Sequence, residues 1–105
     1  MSTLSTHVLD AVRGVPAAGV TVTLYDGGQR LASEVTDADG RVGRLGPALP
    51  PGTYRLVFDT GSYFAAQQVD AFFPEVAIAF VVADERHYHV PLLLSPFAFS
   101  TYRGS

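Results

Sequence analysis

The run Val20-Thr21-Val22-Thr23-Leu24-Tyr25 alternates strictly, with Val20, Val22 and Leu24 apolar and Thr21, Thr23 and Tyr25 able to meet water. Side chains two apart leave one face of a strand, so the pattern is that of a half-buried β-strand. Its β-branched and aromatic content suits a pleated surface. Working outward, Tyr54, Leu56 and Phe58 alternate with Arg55, Val57 and Asp59 in the same way. Further strands are expected at Thr6–Ala11, Leu31–Thr36, Arg41–Val42, Val76–Val82, His87–Leu94 and Phe99–Arg103. Turn-forming groups separate them: Arg13-Gly14-Val15-Pro16, Asp26-Gly27-Gly28, Asp37-Ala38-Asp39-Gly40 and Pro50-Pro51-Gly52. Short strands with frequent turns predict an all-β, two-sheet antiparallel sandwich of about eight strands. One stretch, Thr60 to Gln68, breaks the alternation and reads as a single short helix.

A chain of 105 residues without repeats or linkers is expected to form one domain, residues 1–105, able to bury its own core. Hydrophobic residues make up 48% and charged residues 16%, which suggests that another subunit covers part of the surface. The net charge of −3 argues against nucleic acid and anionic membrane as partners. Cysteine is absent, which removes disulfides, thiolate nucleophiles and cysteine metal sites and fits a reducing compartment. Lysine is absent too, which removes Schiff-base chemistry. Met1-Ser2-Thr3-Leu4 does not look like a secretory signal, and the apolar run Val76–Ala83 is too short to span a bilayer. A cytoplasmic protein is expected.

Chemistry near neutral pH points first to the three histidines, His7, His87 and His89. Taken alone, His7 reads as an ordinary strand histidine. His87 and His89 leave one face of their strand together with Pro91 and Leu93, while Tyr88, Val90, Leu92 and Leu94 form an apolar row facing the core. A face mixing histidine with leucine and proline suits a subunit interface that contains a site. The His-X-His pair could instead hold a metal, although no third ligand is evident. Arg41, Arg44 and Arg55 read as solvated strand residues. Ser100 and Tyr102 share a face of the last strand, and Ser100 or Ser105 is a conceivable nucleophile, but no Gly-X-Ser-X-Gly elbow is present.

Five segments, in order along the chain, resemble the 5-hydroxyisourate hydrolases, relatives of transthyretin. They are Leu4-Ser5-Thr6-His7-Val8-Leu9-Asp10, Thr36-Asp37-Ala38-Asp39-Gly40-Arg41, Gly61-Ser62-Tyr63-Phe64 with Phe72-Phe73-Pro74-Glu75, His87-Tyr88-His89-Val90-Pro91-Leu92-Leu93-Leu94-Ser95-Pro96, and Ser100-Thr101-Tyr102-Arg103-Gly104-Ser105. The resemblance implies a transthyretin-like sandwich and a homotetramer with sites at its dimer–dimer interface. It implies hydrolysis of 5-hydroxyisourate without metal or cofactor. It assigns catalysis to His7, Arg41, His89 and Ser105, and substrate binding to Tyr102, Arg103 and Gly104. The two histidines would handle the attacking water, and Arg41 would steady the oxyanion. Tyr102 would donate a hydrogen bond, and Ser105 would offer a hydroxyl or carboxylate. His87 would lie outside direct contact. Transthyretin itself has lysine and threonine where this chain has His7 and His89, and it lacks the Tyr-Arg-Gly-Ser ending. Ala98 and Phe99 stand where the family has glycine and tyrosine, and Tyr25–Arg30 is short; these departures bear on loop geometry. Two other readings remain open: a transthyretin-like carrier without catalysis, and a metal hydrolase using His87 and His89.

Overall fold

The strand Val20–Tyr25 of the sequence reading becomes β3, one of nine strands in a computed structural model that describes residues 1–105. The order is β1 (Thr3–Asp10), β2 (Val15–Pro16), β3 (Thr21–Asp26), β4 (Gln29–Val35), β5 (Arg41–Val42), β6 (Gly52–Phe58), α1 (Thr60–Ala65), β7 (Val76–Val82), β8 (His87–Leu94) and β9 (Phe99–Thr101). One sheet runs β2-β1-β8-β9, with β5 beside β1; the other runs β4-β3-β6-β7.

The sandwich follows the alternation. Leu4 and Val8 of β1 and Tyr88, Val90, Leu92 and Leu94 of β8 are buried, and so are Val22 and Leu24 of β3 and Leu56 and Phe58 of β6. The two inner faces thus make one apolar core. Tyr54 and Tyr88 bury their rings, Tyr63 is partly buried, and all three find partners for their hydroxyls. Tyr54 donates to the Pro50 carbonyl, Tyr63 to Asp10 and Tyr88 to the Asp84 carboxylate.

All strand pairs are antiparallel except β1 and β8, which run parallel from Thr3↔His87 to Asp10↔Leu94. This pair refines the antiparallel expectation. The two strands are joined through the whole other sheet rather than by a hairpin, so nothing forces them to oppose. The short β2 lies inside a predicted turn, where Leu9↔Pro16 and Asp10↔Val15 pair briefly. The tail strand ends at Thr101 rather than Arg103, and one further bridge follows at Gly104.

The helix is shorter than Thr60–Gln68. Its N-terminus is capped by Asp59, whose carboxylate accepts from the Ser62 amide at 3.2 Å. It stops at Ala65, and Gln68 takes a φ of 59° as the chain leaves. Gly61 is required there, because a Cβ would sit 2.5 Å from the Pro74 carbonyl oxygen. Tyr63 ties the helix to β1 through Asp10, which also accepts from the Val12 and Arg13 amides. No helix is long and apolar enough to cross a membrane.

Candidate active site

The parallel register decides which groups meet on the outer face of the first sheet. Thr3, Ser5, His7 and Leu9 of β1 stand beside His87, His89, Pro91 and Leu93 of β8. All three histidines, His7, His87 and His89, therefore share one face. Leu9 and Leu93 are half-buried and Pro91 is buried, which confirms an apolar surround on that side.

Arg41 reaches the same place through the loop Thr36–Gly40. The Thr36 hydroxyl is buried, donates to the Ala17 carbonyl and accepts from the Val20 amide. The Asp37 carboxylate accepts from the amides of Asp39 and Arg41, both at 2.9 Å, which closes the turn. Gly40 has a φ of 75°, and its missing Cβ would lie 2.3 Å from the Val8 carbonyl oxygen. Only glycine satisfies both conditions. The loop then pairs Arg41 with His7 across β5 and β1. Its Asp39 carbonyl accepts from His7 Nε2 at 2.8 Å, so His7 carries a proton on Nε2 and keeps Nδ1 free.

A cavity of about 310 Å³ opens on this face, lined by Ser5, Thr6, Arg41, Val42, Gly43, His87, His89 and Ser105. Val42 is its one apolar side chain, so it suits a polar small molecule. Arg41 makes no ion pair within the chain and is free to meet a ligand. His89 Nδ1 is 2.7 Å from the Ser5 hydroxyl, which leaves Nε2 unbonded. The His89 pKa lies below the ordinary histidine value, first through burial and then through the nearby charges of Arg41, His7 and His87. The ring is therefore kept neutral at physiological pH, as a base should be.

The expected residues are not all gathered in one place. Arg41, His89 and Ser105 line the cavity, and His7 lies next to it on β1. Gly104 joins from the tail: its amide donates to the His89 carbonyl at 2.8 Å. Its φ is not left-handed, so backbone conformation alone does not require glycine there. Close approach demands it instead, because a Cβ would be 2.5 Å from His89 Cδ2. Tyr102 and Arg103 turn away and line a second, mainly apolar cavity with Ile78, Phe80 and Val81. Ser100 is exposed on β9 opposite Leu93, and Arg55 stacks over the Tyr25 ring at 4.8 Å. No group of three or more His, Asp or Glu side chains is assembled with metal-ligand spacing.

Sequence reasoning missed Thr3 and Ser5 and set His87 aside. His87 lines the cavity, and its two nitrogens lie 2.7 Å from the hydroxyls of Thr3 and Ser5. The only signal was that Thr3, Ser5 and His7 alternate on one strand face, which also describes any solvated strand.

Known proteins similar to this chain include 5-hydroxyisourate hydrolases and a transthyretin. The 5-hydroxyisourate hydrolase of Salmonella typhimurium is 48% identical over 109 residues, covering 97% of this chain and 80% of the relative. That of Pseudomonas aeruginosa is 44% identical, covering 100% and 93%. The structure of Klebsiella pneumoniae 5-hydroxyisourate hydrolase matches with a TM-score of 0.94 at 47% identity, covering 100% of this chain and 94% of that one. Sea bream transthyretin in complex with thyroxine matches with a TM-score of 0.89 at 35% identity, covering 96% and 93%. Residues 4–104 match the model of the HIUase/Transthyretin family, in agreement with the resemblance of the sequence motifs, and the chain belongs to that family.

Proposed function

We propose that residues 1–105 act as one hydrolase domain that opens the six-membered ring of 5-hydroxyisourate, giving 2-oxo-4-hydroxy-4-carboxy-5-ureidoimidazoline in urate breakdown. The observation that carries this reading is the polar cavity in which a neutral-leaning histidine faces an unpaired arginine. Hydrolases of this name at 44–48% identity over nearly the whole chain support an enzyme rather than a carrier.

Ring opening adds water to a carbonyl next to nitrogen. His89 Nε2 takes a proton from the attacking water. The Arg41 guanidinium lies where it can stabilise the negative oxygen that forms. As the carbon–nitrogen bond breaks, the proton held on Nε2 passes to the departing nitrogen. His7, fixed by the Asp39 carbonyl, orients the water or substrate through its free Nδ1. Ser105 adds a hydroxyl to the cavity rim. No step calls for a metal or cofactor.

Tyr102 and Arg103 are assigned to substrate only in the assembled protein, a homotetramer with sites at the dimer–dimer interface. What supports assembly is exposed apolar area: Val81 on β7, Phe99 on β9 and Tyr102 remain exposed, and both strands are sheet edges. A cytoplasmic setting fits the absence of cysteine.

The test is to generate 5-hydroxyisourate with urate oxidase and follow its decay with and without the protein and a chelator. The reading predicts acceleration that the chelator leaves intact. No acceleration by folded protein, together with retention of a thyroxine-like aromatic ligand, would favour the carrier; loss of activity with chelator would favour the metal hydrolase.

A further inference from the structure

Four side chains form an unbroken hydrogen-bonded row on the outer sheet face. Thr3 Oγ1 meets His87 Nδ1, His87 Nε2 meets Ser5 Oγ, and Ser5 Oγ meets His89 Nδ1, each at 2.7 Å. The parallel register of β1 and β8 makes the row possible, because it sets Thr3 beside His87 and Ser5 beside His89. Ser5 is buried, whereas His87 is exposed to water. We propose that Ser5 and His87 are positioning residues that set the tautomer of His89 and carry its proton to and from solvent. This inference rests on the hydrolase reading above.

Proton counting limits the row to two neutral arrangements. The Ser5 hydroxyl owns one proton, so it donates to one ring and accepts from the other. In the first arrangement Ser5 donates to His89 Nδ1 and accepts from His87 Nε2–H, and Thr3 donates to His87 Nδ1. His89 then carries its proton on Nε2 and is a donor toward the cavity. In the second, His89 Nδ1–H donates to Ser5, Ser5 donates to His87 Nε2, and His87 Nδ1–H donates to Thr3. His89 Nε2 is then an open base.

Catalysis begins from the second arrangement. Nε2 takes a proton from water, Nδ1 gives its own to Ser5, and Ser5 gives its original proton to His87 Nε2. One proton has entered the row at His89 and the extra one now rests on His87. His89 is left neutral with its proton on Nε2, ready to protonate the departing nitrogen. The proton on His87 leaves to water. Once the departing nitrogen has taken the Nε2 proton, His87 takes one proton back from water. The row then runs in reverse, which restores the proton on His89 Nδ1 and the open base at Nε2. The titratable or charged side chains facing His89 are Arg41 on β5, His7 on β1 and His87 on β8, and all of them oppose a cation on the His89 ring. Delivering the charge to exposed His87 removes it from the side of Arg41.

The experiment combines ring-nitrogen NMR of the resting protein with kinetics. The variants are Ser5→Ala, Ser5→Thr and His87→Asn, whose amide can replace Nδ1 but falls short of Ser5. The relay predicts that Ser5→Ala and His87→Asn each redistribute the His89 proton between Nδ1 and Nε2. Each should also lower kcat about 10-fold or more at unchanged KM, and Ser5→Thr should restore both. His89 ring signals unchanged in Ser5→Ala overturn the relay, whatever the rates. If Ser5→Ala fails to fold, the exposed site His87→Asn decides by the same signals. A wild-type protein that does not speed 5-hydroxyisourate decay removes the hydrolase reading, while the ring signals still judge the row.

Discussion

His89 holds the charge balance of the cavity at the scale of one residue. Its pKa is lowered from 6.5 by burial first and then by Arg41, His7 and His87. The acid limb of kcat/KM should therefore fall below the ordinary histidine value, and Arg41→Gln should move the His89 titration upward, as NMR would report. Stability follows the same shift. Above 6.5 the ring is neutral in both folded and unfolded chains; as pH drops below it, the unfolded chain takes the proton first and stability declines until the folded pKa is passed. Urea midpoints at pH 8 and pH 5 (conditions chosen to bracket the shift) should therefore spread further for the wild type than for His89→Asn. Gly104→Ala tests close approach: a Cβ 2.5 Å from His89 Cδ2 must push the tail or the ring. A displacement of that kind should lower kcat by about 100-fold, with a melting temperature close to wild type.

Among elements, the Thr36–Arg41 loop does most to build the site, and its logic was only partly legible. The motif could be quoted from sequence, and with it Arg41. Why each residue is there needed the partner strand: Gly40 is fixed by the Val8 carbonyl oxygen, and His7 by the Asp39 carbonyl. Gly40→Ala combines a left-handed φ with a backbone clash and should destabilise the fold by about 2 kcal/mol or more, as a denaturant midpoint would show. The core strands were legible because alternation records burial directly, as in Tyr88, Val90, Leu92 and Leu94. Strand pairing was not, because two distant strands carry no mark of their mutual direction. Ser5 stayed hidden for that reason: a serine on an outward face gains meaning only once His87 and His89 lie beside it.

For the molecule as a whole, the tail and the sheet edges carry the open questions. Removing Arg103-Gly104-Ser105 takes away exposed or half-exposed residues and one backbone bond to His89. Stability should fall by only about 1 kcal/mol, while turnover is largely lost; a melting curve and steady-state kinetics on the shortened chain measure both. The same tail explains why the site was read as more gathered than one chain makes it. Tyr102 and Arg103 belong to a motif that resemblance assigns as a unit, yet the chain past the end of β9 at Thr101 carries both to a cavity beside β7. Assembly should return that edge to the account, and sedimentation at micromolar concentration should find a tetramer; monomer alone would contradict it.

The central claim is that His89, beside Arg41, hydrolyses 5-hydroxyisourate. It is tested most directly by following freshly generated substrate with wild type, His89→Asn and Arg41→Gln at matched concentrations, each confirmed folded by circular dichroism. Wild type should speed the decay, and His89→Asn should lose roughly 100-fold or more of that rate, with Arg41→Gln also strongly impaired. A folded His89→Asn protein that turns over like wild type would contradict the account.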